Sequence, residues 1–163
     1  MTGGVQLAVL FWFFLLAGPT AHASTVCSSG CDYTTIRNAY NAAANSGETI
    51  EVTDSRTYTE SFDISKSITI KTSLTSPATW RNNGSKADIF RIRDGETVEV
   101  EGFILVPRTD YAVRVHQAST LTLKSVTVDN FSDTGRDGIG VKAEDNSVVV
   151  IEDSKFTNLT GRD

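Results

Sequence analysis

The sequence predicts an all-β chain wound as a parallel β-helix, a solenoid, and three observations predict it. The first is repetition over residues 90–163. Phe90-Arg91-Ile92 is followed, six residues after Ile92, by Val98-Glu99-Val100. At the same distance Leu121-Thr122-Leu123 follows Val113-Arg114-Val115, and Val149-Val150-Ile151 follows Val141-Lys142-Ala143. The passes begin 23 residues apart, from Phe90 to Val113, and then 28, from Val113 to Val141. Periods of this size belong to solenoids and arrays. The second observation is alternation: each unit places apolar residues two apart, the period of a strand. A third pair closes each pass, Phe103/Leu105, Val126/Val128 and Ser154/Phe156, the last with one polar member. One pass therefore gives three strands and three turns, with the apolar pairs pointing inward. The third observation is a single helical candidate ahead of the repeats, placed where a solenoid needs a lid.

In chain order, residues 1–23 are expected to be a secretory signal peptide. An apolar block over residues 5–17 precedes Gly18-Pro19 and then Ala21-His22-Ala23, a small-x-small pattern that puts cleavage before Ser24. No Lys or Arg precedes the block, a departure from the usual pattern. An uncleaved anchor is the competing reading, but a span needs about 20 apolar residues and this block is shorter. The two cysteines, Cys27 and Cys31, follow the cut closely. An oxidising compartment permits a disulfide there, and so small a loop would pin the new N-terminus more than stabilise the domain. A metal is the weaker reading, because no second Cys pair or His cluster accompanies them. Asn83, Asn130 and Asn158 open Asn-x-Ser/Thr sequons, candidate glycan acceptors in a eukaryotic secretory pathway.

Residues 34–44 form the helical candidate. Ile36, Ala39, Tyr40 and Ala43 make one apolar stripe, Thr34 or Thr35 serves as N-cap, and Ser46-Gly47 ends the helix. A lid over the first coil would cover its apolar cross-section and strand edges. Residues 49–52 are a strand, and Phe62-Asp63-Ile64 with Ile68-Thr69-Ile70 repeat the later pattern with a turn two residues shorter. Residues 72–86, rich in Ser, Thr and Asn, read as a loop leaving the coil, with Trp80 covering a small core of its own rather than stacking on a sugar. Residues 24–163 then amount to about four coils. The Gly-Arg-Asp turn of residues 135–137 recurs at 161–163, announcing a further coil, so the chain is expected to be the N-terminal part of a longer protein.

Several stretches resemble the pectin lyase-like right-handed β-helix proteins. Asp32-Tyr33-Thr34-Thr35-Ile36, the alanine-rich helix, Gly47-Glu48-Thr49-Ile50-Glu51-Val52, Tyr58-Thr59-Glu60 and Ser67-Ile68-Thr69-Ile70 are similar to the N-terminal module of pectin methylesterases and of secreted β-helix repeat proteins. Residues 138–158 look like the repeat of polymorphic outer-membrane proteins and other surface β-helices. The resemblance covers nearly all of the mature chain. It implies a right-handed parallel β-helix outside the cell, and the same scaffold serves lyases, hydrolases, esterases and adhesins.

The chemistry that those enzymes need is mostly unmet in the sequence. Pectin methylesterases use two aspartates with flanking glutamines, and Gln117 is the only Gln after the signal peptide. Polygalacturonase-like enzymes need paired carboxylates, and Asp-Asp pairs are absent. A lyase would need Ca²⁺ held by acids, with an arginine to remove a proton. Asp133, Arg136, Asp137, Arg162 and Asp163 have the right types, but their repetition reads more simply as a corner. No phosphate loop, nucleophile elbow or zinc helix is present, and His116 is the only mature histidine. No cofactor is expected, Ca²⁺ entering only with a lyase. Asn130 and Asn158 hold equivalent turn positions, where a buried asparagine ladder competes with glycosylation.

The outward residues carry the remaining signal. On the second strand of each pass, Lys71, Glu101, Lys124 and Glu152 would form a ladder of alternating sign worth about 0.2–1 kcal/mol per pair. On the first strand, Arg91, Arg114 and Lys142 stack, with Arg93 and His116 two positions on. In a chain of net charge −5, stacked like charges repel, so the column points to an acidic partner such as a uronate polysaccharide or cell-surface glycan; the alternative is a solvated face whose side chains splay into water or are neutralised by acids on the adjacent turns. The overall charge favours neither nucleic acid nor membrane once the signal is cleaved. Two function classes follow: a secreted or surface scaffold that binds carbohydrate without turnover, or the start of a pectin-active lyase, hydrolase or esterase whose catalytic coils lie beyond residue 163.

Overall fold

A computed structural model describes residues 23–158 apart from 45, 109, 110 and 130–138. Residues 1–22 of the proposed signal peptide, Asn130 and both Gly-Arg-Asp turns therefore lie outside the described residues, while Ala23, the last residue before the expected cut, is described. The chain opens with strand β1 (Ala23–Val26) and helix α1 (Ile36–Ala42), and then winds. Its first turn comprises β2 (Glu48–Val52), β3 (Thr57–Thr59) and β4 (Phe62–Ile64). The second comprises β5 (Ile68–Thr72), β6 (Thr79–Arg81) and β7 (Phe90–Ile92). The third is β8 (Thr97–Glu101), β9 (Ile104–Val106) and β10 (Tyr111–Val115), the fourth β11 (Thr120–Lys124), β12 (Thr127–Val128) and β13 (Ile139–Ala143). A fifth begins with β14 (Val148–Glu152) and β15 (Lys155–Phe156).

Corresponding strands pair in parallel and build three faces. Sheet A runs β1-β2-β5-β8-β11-β14, sheet B β3-β6-β9-β12-β15 and sheet C β4-β7-β10-β13. This is the predicted parallel β-solenoid. Its register is the one that the repeat demands: Val98 lies beside Leu121 and Leu121 beside Val149, and Phe90 lies beside Val113. A slip of one residue would turn every apolar pair outward, so the hydrophobic pattern alone fixes the register.

Inward residues from the three faces meet in one core. Phe90, Ile92, Val98, Val100, Leu105, Val113, Val115, Leu121, Leu123 and Val128 are all fully buried. The last turn differs. Val141 and Val149 are half-buried and Ile151 is 49% exposed, because among the described residues nothing stacks over them.

Residues 72–86 do not leave the coil as the sequence predicts. They contain β6, which pairs with β3 on one side and β9 on the other. Trp80 belongs to the main core, at 0% exposure, with its ring 4.9 Å from that of Phe90, 5.4 Å from Phe62 and 5.8 Å from Phe103. Its indole N–H donates to the Glu60 carbonyl at 3.2 Å, which settles the one polar atom that burial would otherwise strand.

The helix is shorter than its sequence pattern. Thr35 is the N-cap, accepting from the Asn38 N–H at 3.1 Å, and the last helical residue is Ala42, ahead of Ser46-Gly47. Seven residues cannot sustain a helix in water. Packing supplies the stability: Ile36, Ala39 and Tyr40 are buried, and the Tyr40 ring lies 5.3 Å from Phe62. The coil holds both helix ends as well. The Glu60 carboxylate accepts from the N–H groups of Ile36 and Arg37 at 3.0 and 2.8 Å, and Lys66 Nζ donates to the Tyr40 carbonyl at 2.9 Å. Strand β1, absent from the sequence-based expectation, adds a rung beneath β2 and is tied down by the Cys27–Cys31 disulfide. No helix among the described residues is long and apolar enough to cross a membrane.

Candidate functional site on the outer face of sheet C

The predicted site residues do come together. Pairing of β4, β7, β10 and β13 places Asp63, Arg91, Arg114 and Lys142 in one outward column, rung upon rung. Neighbouring parallel strands lie about 4.8 Å apart, close enough for adjacent side chains to interact. Arg93 and His116 stand two positions along, and the next residue in that second column is Glu144.

Three acids lie against the stack of cations, the neutralising arrangement that the sequence left open. Asp88, 0% exposed, lies under the column: its Oδ2 accepts from Arg91 Nε and Nη2, both at 3.1 Å, and sits 3.4 Å from Arg114 Nε. Asp63 takes Lys86 Nζ at 2.7 Å and lies 3.9 Å from Arg93, while Glu144 pairs with Lys142 at 2.8 Å. Burial pushes the Asp63 carboxyl up, but the Lys86 hydrogen bond and the charges of Lys86, Arg91 and Arg93 outweigh it and hold it below the ordinary range. The Glu144 bond raises the Lys142 ammonium, and the same bond lowers Glu144. Like-charge repulsion along the stack is therefore largely relieved from beneath and from the side.

An aromatic ring completes the face. Tyr111 lies under the guanidinium of Arg114, 4.7 Å from centroid to Cζ, and 5.5 Å from Lys142 Nζ, both within cation–π range. His116 is half-buried, and its Nε2 is shielded without a hydrogen-bond partner, as is Asp88 Oδ1. The arginine side chains remain partly open, 28% for Arg91, 23% for Arg114 and 45% for Arg93. A guanidinium carries five donors in a rigid fork. Arg91 spends Nε and Nη2 on Asp88, whereas Arg114 meets Asp88 as a charge contact only, its shielded Nε making no hydrogen bond.

Sequence reasoning missed Asp88, Tyr111 and Glu144. Asp88 and Tyr111 each stand three residues before an arginine of the column, Arg91 and Arg114. That shared offset was the available signal, hidden because both residues precede the alternating pattern. The column predicted on sheet A is present: Lys71, Glu101, Lys124 and Glu152 lie in register, with Lys124 3.4 Å from Glu101, and the structure adds Glu51 beside Lys71. It alternates in sign from rung to rung and is a structural ladder.

Elsewhere, a hollow of about 280 Å³ lies between the helix start and the coil, lined by residues that include Arg37, Glu60 and Asn83. A second, of about 250 Å³, lies on sheet B under Leu74 and Pro77. The carboxylate of Glu60 is already committed to the helix backbone. Among the described residues no three His, Cys, Asp or Glu side chains are grouped to hold a metal. Neither a family model nor a curated protein matches the chain.

Proposed function

We propose that the chain belongs to a pectin lyase-like β-helix protein acting outside the cell, and that sheet C binds an acidic polysaccharide without turning it over. The observation that carries this reading is Asp88. A buried carboxylate that hydrogen-bonds Arg91 and lies 3.4 Å from Arg114 Nε, with Tyr111 beneath the second, draws two guanidinium groups to one point on neighbouring rungs. Arginines already ordered in this way lose less freedom on binding than free surface arginines. Carboxylates along a uronate polymer are suited to such forks, which they accept in bidentate fashion. Arg93, His116 and Lys142 extend the same face. The disulfide between Cys27 and Cys31 supports an oxidising destination.

The test is retention of polygalacturonate by the purified chain at low and then physiological salt, beside the triple variant Arg91→Ser, Arg114→Ser, Lys142→Ser. Binding that weakens with salt is expected, with at least about a tenfold loss in the variant, since each charge-assisted bond contributes about 1.5–3 kcal/mol. Equal retention by both proteins would make the column a solvated face. No unsaturated or reducing ends should appear in the same incubation; their release would contradict binding without turnover.

A further inference from the structure

We propose that, of the two sequon asparagines among the described residues, Asn83 is an N-glycan acceptor and Asn158 is not, an inference that rests on the secretory reading above. The three sequons are indistinguishable as motifs, but the fold treats the two described ones differently. Asn83 follows β6, in a turn organised from inside by its neighbour. Asn82 is fully buried, and its amide Nδ2 donates to the Lys86 carbonyl at 3.1 Å while its Oδ1 accepts from the Gly84 N–H. Gly84 has φ +82, a conformation that L side chains rarely adopt. With Asn82 turned inward, Asn83 is turned outward and exposed.

The chemistry of the exposed amide fits attachment. Asn83 Oδ1 accepts from the Ser85 N–H at 2.9 Å and from Ser85 Oγ at 2.6 Å, so both bonds within the sequon fall on the oxygen. Its Nδ2, the atom that would carry the sugar, donates to no group among the described residues. A glycan there costs no hydrogen bond and projects from a turn. Asn158 is the reverse case. Its Nδ2 donates to Asp129 Oδ1 at 2.8 Å, joining the Thr157 hydroxyl, which reaches the same oxygen at 2.7 Å. These bonds tie one turn of the solenoid to the turn beneath, and Asn158 holds φ +53 to make its own. A sugar on that nitrogen would crowd the link between turns.

The experiment is translation of the full chain with glycosylation-competent microsomes, read by protease protection and by N-glycosidase-sensitive mass. The protected chain should lose one glycan in Asn83→Gln and equally in Ser85→Ala, which keeps the asparagine, while Asn158→Gln should match wild type. Protected chains with unchanged glycan number in both Asn83→Gln and Ser85→Ala, or a glycan lost in Asn158→Gln, would overturn the assignment and leave the secretory reading intact. A chain that stays accessible to protease would overturn both.

Discussion

Positive φ angles recur in register. The corner from sheet C to sheet A is made by Asp94-Gly95, Gln117-Ala118 and Asp145-Asn146 in three successive turns, every residue with φ between 54 and 77°. Gly95 and Asn146 suit that region; Ala118 does not, because its Cβ crowds the following carbonyl at about 1–2 kcal/mol. Ala118→Gly should therefore raise stability by up to about 1 kcal/mol in denaturant unfolding, once the greater freedom of glycine in the unfolded chain is set against the relief. Gly102→Ala should do the opposite, since an added Cβ would sit 2.8 Å from the Thr72 carbonyl oxygen in a backbone at φ +81. A second test concerns Tyr58, whose hydroxyl donates to Asp54 Oδ1 at 2.7 Å. Burial, then that bond to a carboxylate, pushes the phenol up to about 12. Its ordinary value is about 10, and the fold favours the neutral form. The resulting stability is fully present below pH 10 and is lost as pH rises through about 12. Absorbance titration should show a late phase near pH 12 that vanishes in Tyr58→Phe; an unchanged high-pH phase in the variant would contradict this.

Strand β6 shows where elements were and were not legible. Trp80 sits among Phe62, Phe90 and Phe103 at the centre of the second turn. Trp80→Ala should cost about 3–5 kcal/mol and lower the midpoint of thermal unfolding, whereas a Trp confined to a surface loop would cost far less. The third strands of the later passes could be read directly because their pairs, Phe103/Leu105 and Val126/Val128, are large apolar residues two apart. At the matching positions β6 has Ala78 and Trp80, both fully buried, and a small alanine set among Ser, Thr and Pro hides the alternation. Strand β3 puts in only Tyr58, and one inward residue leaves no alternation to detect. The helix pattern outran the helix for a related reason. Ala43 still packs inward at 3% exposure, but its ψ of 113° has already left the helix.

Across the whole molecule, charge is sorted by face. On sheet A the outward column alternates in sign, while on sheet C one acid, Asp63, is followed by Arg91, Arg114 and Lys142. That column was legible because strand register follows from the apolar pairs. The buried acid under it was not, since Asp88 lies ahead of β7 and only the turn brings it beneath two arginines of different rungs. Orientation by Asp88 is the central claim, and Asp88→Asn tests it most directly, because the charge change and the loss of orientation act in opposite directions. A simple field argument makes the face more positive and requires tighter binding of an acidic polymer. Oriented arginines instead require weaker binding, because a neutral amide loses the charge-assisted pair of bonds to Arg91 and the ion pair with Arg114. Calorimetric titration of an oligogalacturonate into wild type and Asp88→Asn, at a temperature where circular dichroism shows both folded, should give several-fold weaker binding for the variant. Equal or tighter binding would contradict the claim.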